Sequence, residues 1–199
     1  MKSDVINHYD ILIDEGNDPF FDPPFLQEYM DKWDGQCFID KMNIDKTKSV
    51  LEIGVGTGRL ARKVAPLCKT LTGIDISPKT VERAKKNLDA FGNISLICDD
   101  FLSHEFFETF DIIYSSLTFM HIEQKQFAIK KICSLLNESG VFALSIDKNQ
   151  SEFLEFGNRK IKVYPDEPER IAEDFSNANM IITDRYETDF ACIFISKRK

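Results

Sequence analysis

The stretch Val50-Leu51-Glu52-Ile53-Gly54-Val55-Gly56-Thr57-Gly58 constrains this chain more than any other. Val50 to Ile53 read as a buried strand. Three glycines at alternate positions follow. Arg59 to Ala65 then carries Leu60, Ala61 and Val64 at helical spacing. Strand, glycine turn and helix together let backbone approach a nucleotide-like ligand at a helix N-terminus. A side chain in the turn would block that approach or be forced to positive φ. The competing reading is a tight strand-to-helix turn that binds nothing.

The spacing selects among ligands. A dinucleotide fingerprint, G-x-G-x-x-G, needs its third glycine at position 59. Position 59 is arginine, and the third glycine is Gly58. No Gly-Lys-Ser/Thr ending of a phosphate loop follows. The pattern present, from Glu52 to Gly58, is E-x-G-x-G-x-G. It resembles motif I of the class I methyltransferases, which use S-adenosylmethionine. In that family the loop packs against the methionine end of the cofactor.

The next strand tips extend the pattern. Leu71 to Ile74 is an apolar run ending at Asp75-Ile76. Asp75 lies about twenty residues beyond Gly54, where an acid meets a ribose. One carboxylate can accept from both ribose hydroxyls. The alternative is an ordinary strand-end turn. Ser77-Pro78 starts the next helix, with Val81, Ala84 and Leu88 facing inward. Ile94 to Cys98 reads as a third strand, ending in Asp99-Asp100-Phe101. The resemblance aligns Asp100 with the acid that accepts from the adenine amine, and the Phe101 amide with an adenine ring nitrogen. Either Asp99 or Asp100 faces the ligand, with Asp100 favoured.

Phe110 to Ile122 is a fourth strand and its exit loop. It resembles motif IV, in which Ser115 and Ser116 would floor the cofactor. Glu123 to Asn137 reads as an amphipathic helix ended by Asn137-Glu138-Ser139-Gly140, and Val141 to Ile146 as strand five. Phe153–Phe156 and Lys160–Tyr164 flank Gly157-Asn158, a hairpin signal. Glu167 to Ala178 reads as a last helix. Met180–Tyr186 and Phe190–Ile195 read as a closing strand pair.

The region before the first core strand is helical in pattern. His8 to Ile13 suits a short helix, broken by Gly16 and Pro19. Asp22-Pro23-Pro24 reads as a helix start with Asp22 as N-cap. Asp22-Pro23-Pro24-Phe25 also looks like the D-P-P-Y/F tetrad of amino-group methyltransferases. That tetrad works at the tip of a core strand, and no strand precedes it here, so the cap reading is preferred. A further helix holds Phe38, Ile39 and Met42.

Alternating strands and helices predict an α/β, doubly wound, mostly parallel sheet. The resemblance implies seven strands with the last one antiparallel. Residues 1–45 are expected to form an N-terminal helical cap over the cofactor mouth. Residues 46–199 form the expected S-adenosylmethionine-binding methyltransferase domain, with a hairpin insertion at 152–164. A chain of 199 residues, 43% hydrophobic, can build one full core. Its net charge of −8 argues against a protein that wraps nucleic acid or anionic lipid. The five cysteines are scattered and never C-x-x-C, and no leader or membrane-length apolar run is read, so a cytoplasmic protein with reduced thiols is expected.

The resemblance implies methyl transfer from S-adenosylmethionine to a small-molecule acceptor whose nucleophile, oxygen, nitrogen or carbon, is open. The implied cofactor set is Glu52, Gly54, Gly56, Thr57, Gly58, Asp75, Ile76, Asp100, Phe101, Ser115 and Ser116. Candidate bases are His8, Tyr9, Asp14, Glu15 and His121, and a structural histidine is an equal reading for His121. No metal is implied, because the three histidines are isolated. Monomer and homodimer stay open. The alternatives are a non-catalytic cofactor-binding or regulatory protein, and a nicotinamide oxidoreductase, which Arg59 disfavours.

Overall fold

The computed structural model describes residues 2–199. Before the sheet come α1 (Lys2–Asp14), a 3-10 turn at Pro19–Phe21, α2 (Pro24–Met30) and α3 (Gly35–Lys41). The sheet region runs β1 (Ser49–Ile53), α4 (Ala61–Val64), β2 (Thr70–Asp75), α5 (Pro78–Asn87), β3 (Ile94–Cys98) and β4 (Phe110–Ser116). It continues with α6 (Lys125–Leu135), β5 (Leu136–Asp147), the hairpin strands β6 (Phe153–Phe156) and β7 (Arg159–Lys162), α7 (Pro168–Asn177), β8 (Met180–Glu187) and β9 (Ala191–Arg198).

Seven strands form one sheet in the order β3-β2-β1-β4-β5-β9-β8. The first five are mutually parallel. β9 is antiparallel to both neighbours and slots between β5 and β8. The expected doubly wound sheet with an antiparallel last strand is therefore present. The order reverses between β1 and β4, which opens a crevice beyond their carboxyl ends.

The inner strands are apolar on both faces because helices cover both. Leu51 and Ile53 of β1, Ile113 of β4 and Phe142 and Leu144 of β5 pack on one side with Ile129 and Ile132 of α6 and Phe175 of α7. Val50, Ile112 and Tyr114 point the other way, toward Leu60, Val64 and Ala84. This is the two-residue alternation of a strand applied to a sandwiched sheet.

The segment before β1 does not act as one cap. Phe38, Ile39 and Met42 of α3 are buried in the second core cluster, so α3 belongs to the sheet domain. The 3-10 turn, α1 and α2 instead send Pro19, Val5 and Met30 to the cavity described below. Asp22 is not the N-cap of α2. Pro23 holds that position without a side-chain bond, and Pro24 is the first helical residue. No strand leads into Asp22-Pro23-Pro24.

One boundary also differs. Asn137-Glu138-Ser139-Gly140 is not a helix-ending turn but the first part of β5. α6 passes straight into the strand at Leu136. The extra length is absorbed by a register break opposite Phe110 and Ile112, and Ser139 takes φ 60°. The hairpin expected at 152–164 forms, as β6 paired antiparallel with β7.

Candidate active site

The strand tips dictate where a ligand can sit. A cavity of about 640 Å³ lies against the carboxyl ends of β1, β2, β3 and β4, the crevice made by the order reversal. Glu52 and Ile53 enter it from β1, Asp75 from β2, Asp99 and Asp100 from beyond β3, and Ser116 from β4. α1 closes its far side with Tyr9.

The three glycines serve different purposes. Gly54 has φ +78°, and a Cβ there would stand 1.9 Å from Thr118 Oγ1. Gly58 does not line the cavity; a Cβ on it would meet Leu88 Cδ1 at 2.8 Å. Gly58 packs against Leu88, apart from the cavity where its expected ligand role would place it. Gly56 is the open one. It has φ +54°, lines the cavity, and a Cβ there would meet nothing within 4 Å. Beside it, the Thr57 hydroxyl is buried with no hydrogen-bond partner. A buried orphan oxygen next to an open backbone elbow is a site that favours a polar ligand.

Asp75 is turned into the same space. One carboxylate oxygen accepts from the Gly56 amide at 3.0 Å, the other from the Ser77 amide at 3.0 Å. Each oxygen retains acceptor capacity. Burial pushes its pKa up, opposed by those amides. Ile76 also lines the cavity. Asp99 and Asp100 both reach the wall but differ in use. Asp99 accepts from its neighbour's amide and pairs with His104 at 2.9 Å. Asp100 is the more buried and is ion-paired with Lys2 of α1. Phe101 is buried and lines the cavity.

The two serines diverge. Ser116 lines the cavity and donates to Asp34 at 2.8 Å. Ser115 is fully buried outside the lining, donating to the Ile53 carbonyl at 3.0 Å. Adjacent residues of a strand face opposite ways, so only one could reach the ligand side.

The candidate bases sort in the same manner. Tyr9 Oη and His121 Nε2 share a hydrogen bond of 2.8 Å at the cavity wall. Burial pushes the His121 pKa down to about 4, so the ring is neutral near pH 7. Its Nδ1 is buried without a partner. Burial, followed by the charge of Asp75, raises the Tyr9 phenol. His8 is not in the lining; it is buried edge-on against Tyr9 and Phe156. Asp14 pairs with Lys79, and Glu15 makes a two-pronged pair with Arg159 of β7. Both acids hold α1 in place at the surface and leave the list of bases.

One part of the site was not anticipated. Arg59 forks onto Asp34, Nη1 to Oδ1 at 3.1 Å and Nη2 to Oδ2 at 2.5 Å. Asp34 also accepts from the Gly35 amide at 2.7 Å. Its side chain is fully buried and that of Arg59 nearly so. The clasp ties the segment before α3 to the helix that follows the glycines. The only sequence signal was the arginine where a dinucleotide fold has glycine. Nothing in the pattern named Asp34, because the pair is 25 residues apart.

Residues 50–140 match the family model described as methyltransferase domain. That segment, just under half of the chain, is similar to methyltransferase domains. The chain is 37% identical over 123 residues to an uncharacterised methyltransferase of Anoxybacillus flavithermus, covering 59% of this chain and 57% of that one. It is 32% identical over 111 residues to a malonyl-[acyl-carrier protein] O-methyltransferase of Ilyobacter polytropus, covering 54% and 41%. The chain thus spans about half the length of the curated relatives it matches. In fold it is similar to the N-methyltransferase NodS of Bradyrhizobium japonicum in complex with S-adenosyl-L-homocysteine. The TM-score is 0.77 at 18% identity, covering 98% of both chains.

The acid that opens the glycine motif is deeply buried. Glu52 is 3% exposed and accepts from the Tyr114 hydroxyl at 2.7 Å. Burial pushes its pKa up to about 8, from an ordinary 4.5. The folded chain therefore holds a proton that the unfolded chain has released between those two values. Stability contributed by this group falls as pH rises through that window, by about 1.4 kcal/mol per unit. Glu52→Gln is expected to flatten that slope in urea unfolding measured from pH 5 to pH 9. An unchanged slope would assign the pH dependence to other groups.

Among the described residues, no helix is long and apolar enough to cross a membrane, and no three His, Cys, Asp or Glu side chains gather as a metal site.

Proposed function

We propose that the chain transfers the methyl group of S-adenosylmethionine to a small-molecule acceptor. The observation that carries this reading is one cavity holding both the Gly56–Thr57–Asp75 cradle and the Tyr9–His121 pair. A neutral, buried imidazole bonded to a phenol in the same cavity supports a protein that runs a reaction there.

When bound, S-adenosylmethionine supplies an electrophilic methyl group. The chain's residues hold and orient the reactants. Asp75 accepts from the ribose hydroxyls, using lone pairs left free by its two backbone donors. The Gly56 elbow lets backbone approach the methionine end, and the Thr57 hydroxyl finds there the partner it lacks. Asp100 takes the adenine amine, exchanging it for Lys2, and the Phe101 amide faces the ring. Gly54, Ile76, Glu52 and Ser116 shape the floor. Tyr9 takes the acceptor's proton as it passes its own to His121 Nε2. In-line displacement gains most from such positioning, which can be worth about 7–11 kcal/mol.

The acceptor atom is left open as oxygen, nitrogen or carbon. An O-methyltransferase and an N-methyltransferase stand among the similar proteins, so likeness selects neither. Residues 1–45 act as the segment that completes the cavity and residues 46–199 as the domain that holds the cofactor. α3 adds to the latter by packing. Residence in the cytoplasm fits five cysteines that are all free.

Titration calorimetry tests the reading. Wild type is expected to bind S-adenosylmethionine, and Asp75→Ala to weaken binding at least tenfold, about the worth of one charge-assisted hydrogen bond. Equal affinities would remove Asp75 from the site. Absence of binding to wild type would overturn the function.

A further inference from the structure

Almost every charge that lines the cavity is spent on the fold. Lys2 is paired with Asp100, and Arg59 with Asp34. Asp75 and Asp99 have backbone or histidine donors, and Glu52 has Tyr114. Glu123 accepts from the Tyr164 hydroxyl at 3.3 Å. Asp4 is engaged as well. Lys162 is the exception. Among the described residues it has no carboxylate within ion-pair distance, and its ammonium stands 5.3 Å from the Tyr164 ring centroid.

Lys162 is exposed on the rim of the same cavity. It ends β7, and the chain leaving β7 is sewn to the turn that carries His121. The Tyr164 amide donates to the Met120 carbonyl at 2.7 Å. Lys125 donates to the Phe119 and Tyr164 carbonyls at 2.9 and 2.8 Å, and is paired with buried Asp166. The hairpin insertion is thus a wall of the site. Tyr9, Ile122 and Tyr164 give that end of the cavity apolar surface.

We propose that Lys162 recognises an anionic group, a carboxylate or a phosphate, on the methyl acceptor, whose body lies against Tyr164 and Ile122. The proposal rests on the methyltransferase reading and names the substrate class of the same site. An ammonium is a compact point charge that selects charge rather than a planar shape. Glu123 sets the limit, since its carboxylate lies on the same rim.

The test uses the protein loaded with S-adenosylhomocysteine and four probes of one shape: benzoate, phenyl phosphate, benzamide and benzylamine. Binding is read by NMR shifts at constant ionic strength. At least one anion is expected to bind about tenfold more tightly than benzamide, roughly one ion pair's worth in a half-open site. Lys162→Met should abolish that preference. Glu123→Gln should strengthen anion binding about two- to threefold. The two anionic arms separate carboxylate from phosphate recognition. Benzamide binding as well as the anions, benzylamine binding best, anion binding that survives Lys162→Met, or no anion binding at about 20 mM would each overturn the proposal. S-adenosylhomocysteine affinity is measured on every variant. Its retention in Lys162→Met shows an intact fold, whereas its absence in wild type would sink the cofactor reading instead.

Discussion

Exchange of His121 for asparagine is expected to lower kcat by about 10²–10⁴-fold while S-adenosylmethionine affinity stays within about twofold. The imidazole bonds to Tyr9 Oη, not to any group of the cofactor cradle. A loss confined to kcat is therefore the signature of proton transfer. Burial lowers its pKa to about 4, so the ring is unprotonated across the physiological range and its Nε2 lone pair is free. On the acid side, kcat/KM should begin to fall only as pH drops toward that value. Tyr9→Phe should produce a comparable loss of kcat, and the double variant should lose little more, because the two act as one relay. Turnover is read as transfer of labelled methyl to the acceptor. An unchanged kcat in both single variants would make the pair a structural contact.

Arg59→Leu is expected to cost about 3–5 kcal/mol of stability, the usual result of stranding one partner of a buried pair. Asp34 would keep its charge in a fully buried position, with only the Gly35 amide and the Ser116 hydroxyl to satisfy it. The double variant Asp34→Asn, Arg59→Leu should recover most of that loss, since no uncompensated charge then remains. Urea unfolding of the three proteins decides the matter. A cost below about 1 kcal/mol for Arg59→Leu would mean the pair is solvated enough to count as a surface bridge. Cofactor binding should weaken along with stability, because the clasp sits directly behind the glycine elbow.

Local chemistry made much of this readable in the chain. The apolar runs, closed by glycine after β1 and by an acid after β2 and β3, announced parallel strands and their tips. Ser77-Pro78 announced a helix start, and the Ser77 hydroxyl does accept from the Thr80 amide at 3.1 Å. Asp75 was placed by its spacing from Gly54, and it meets the same glycine turn through the Gly56 amide, 19 residues away. The boundary at 137–140 misled because Ser139-Gly140 carries the same turn chemistry in a bulged strand as at a helix end.

Periodicity and short-range spacing thus settled the layered sheet, the open elbow and the acid beside it, since each depends on neighbours within a few turns of chain. Which glycine packs and which stays open, which serine faces inward, that Asp34 finds Arg59 and that Tyr9 finds His121 were settled by packing alone. Those contacts join residues between 25 and 112 positions apart. Their geometry exists only once the N-terminal segment has been brought onto the sheet edge beside the loops that follow β1 and β4, and no local propensity encodes it.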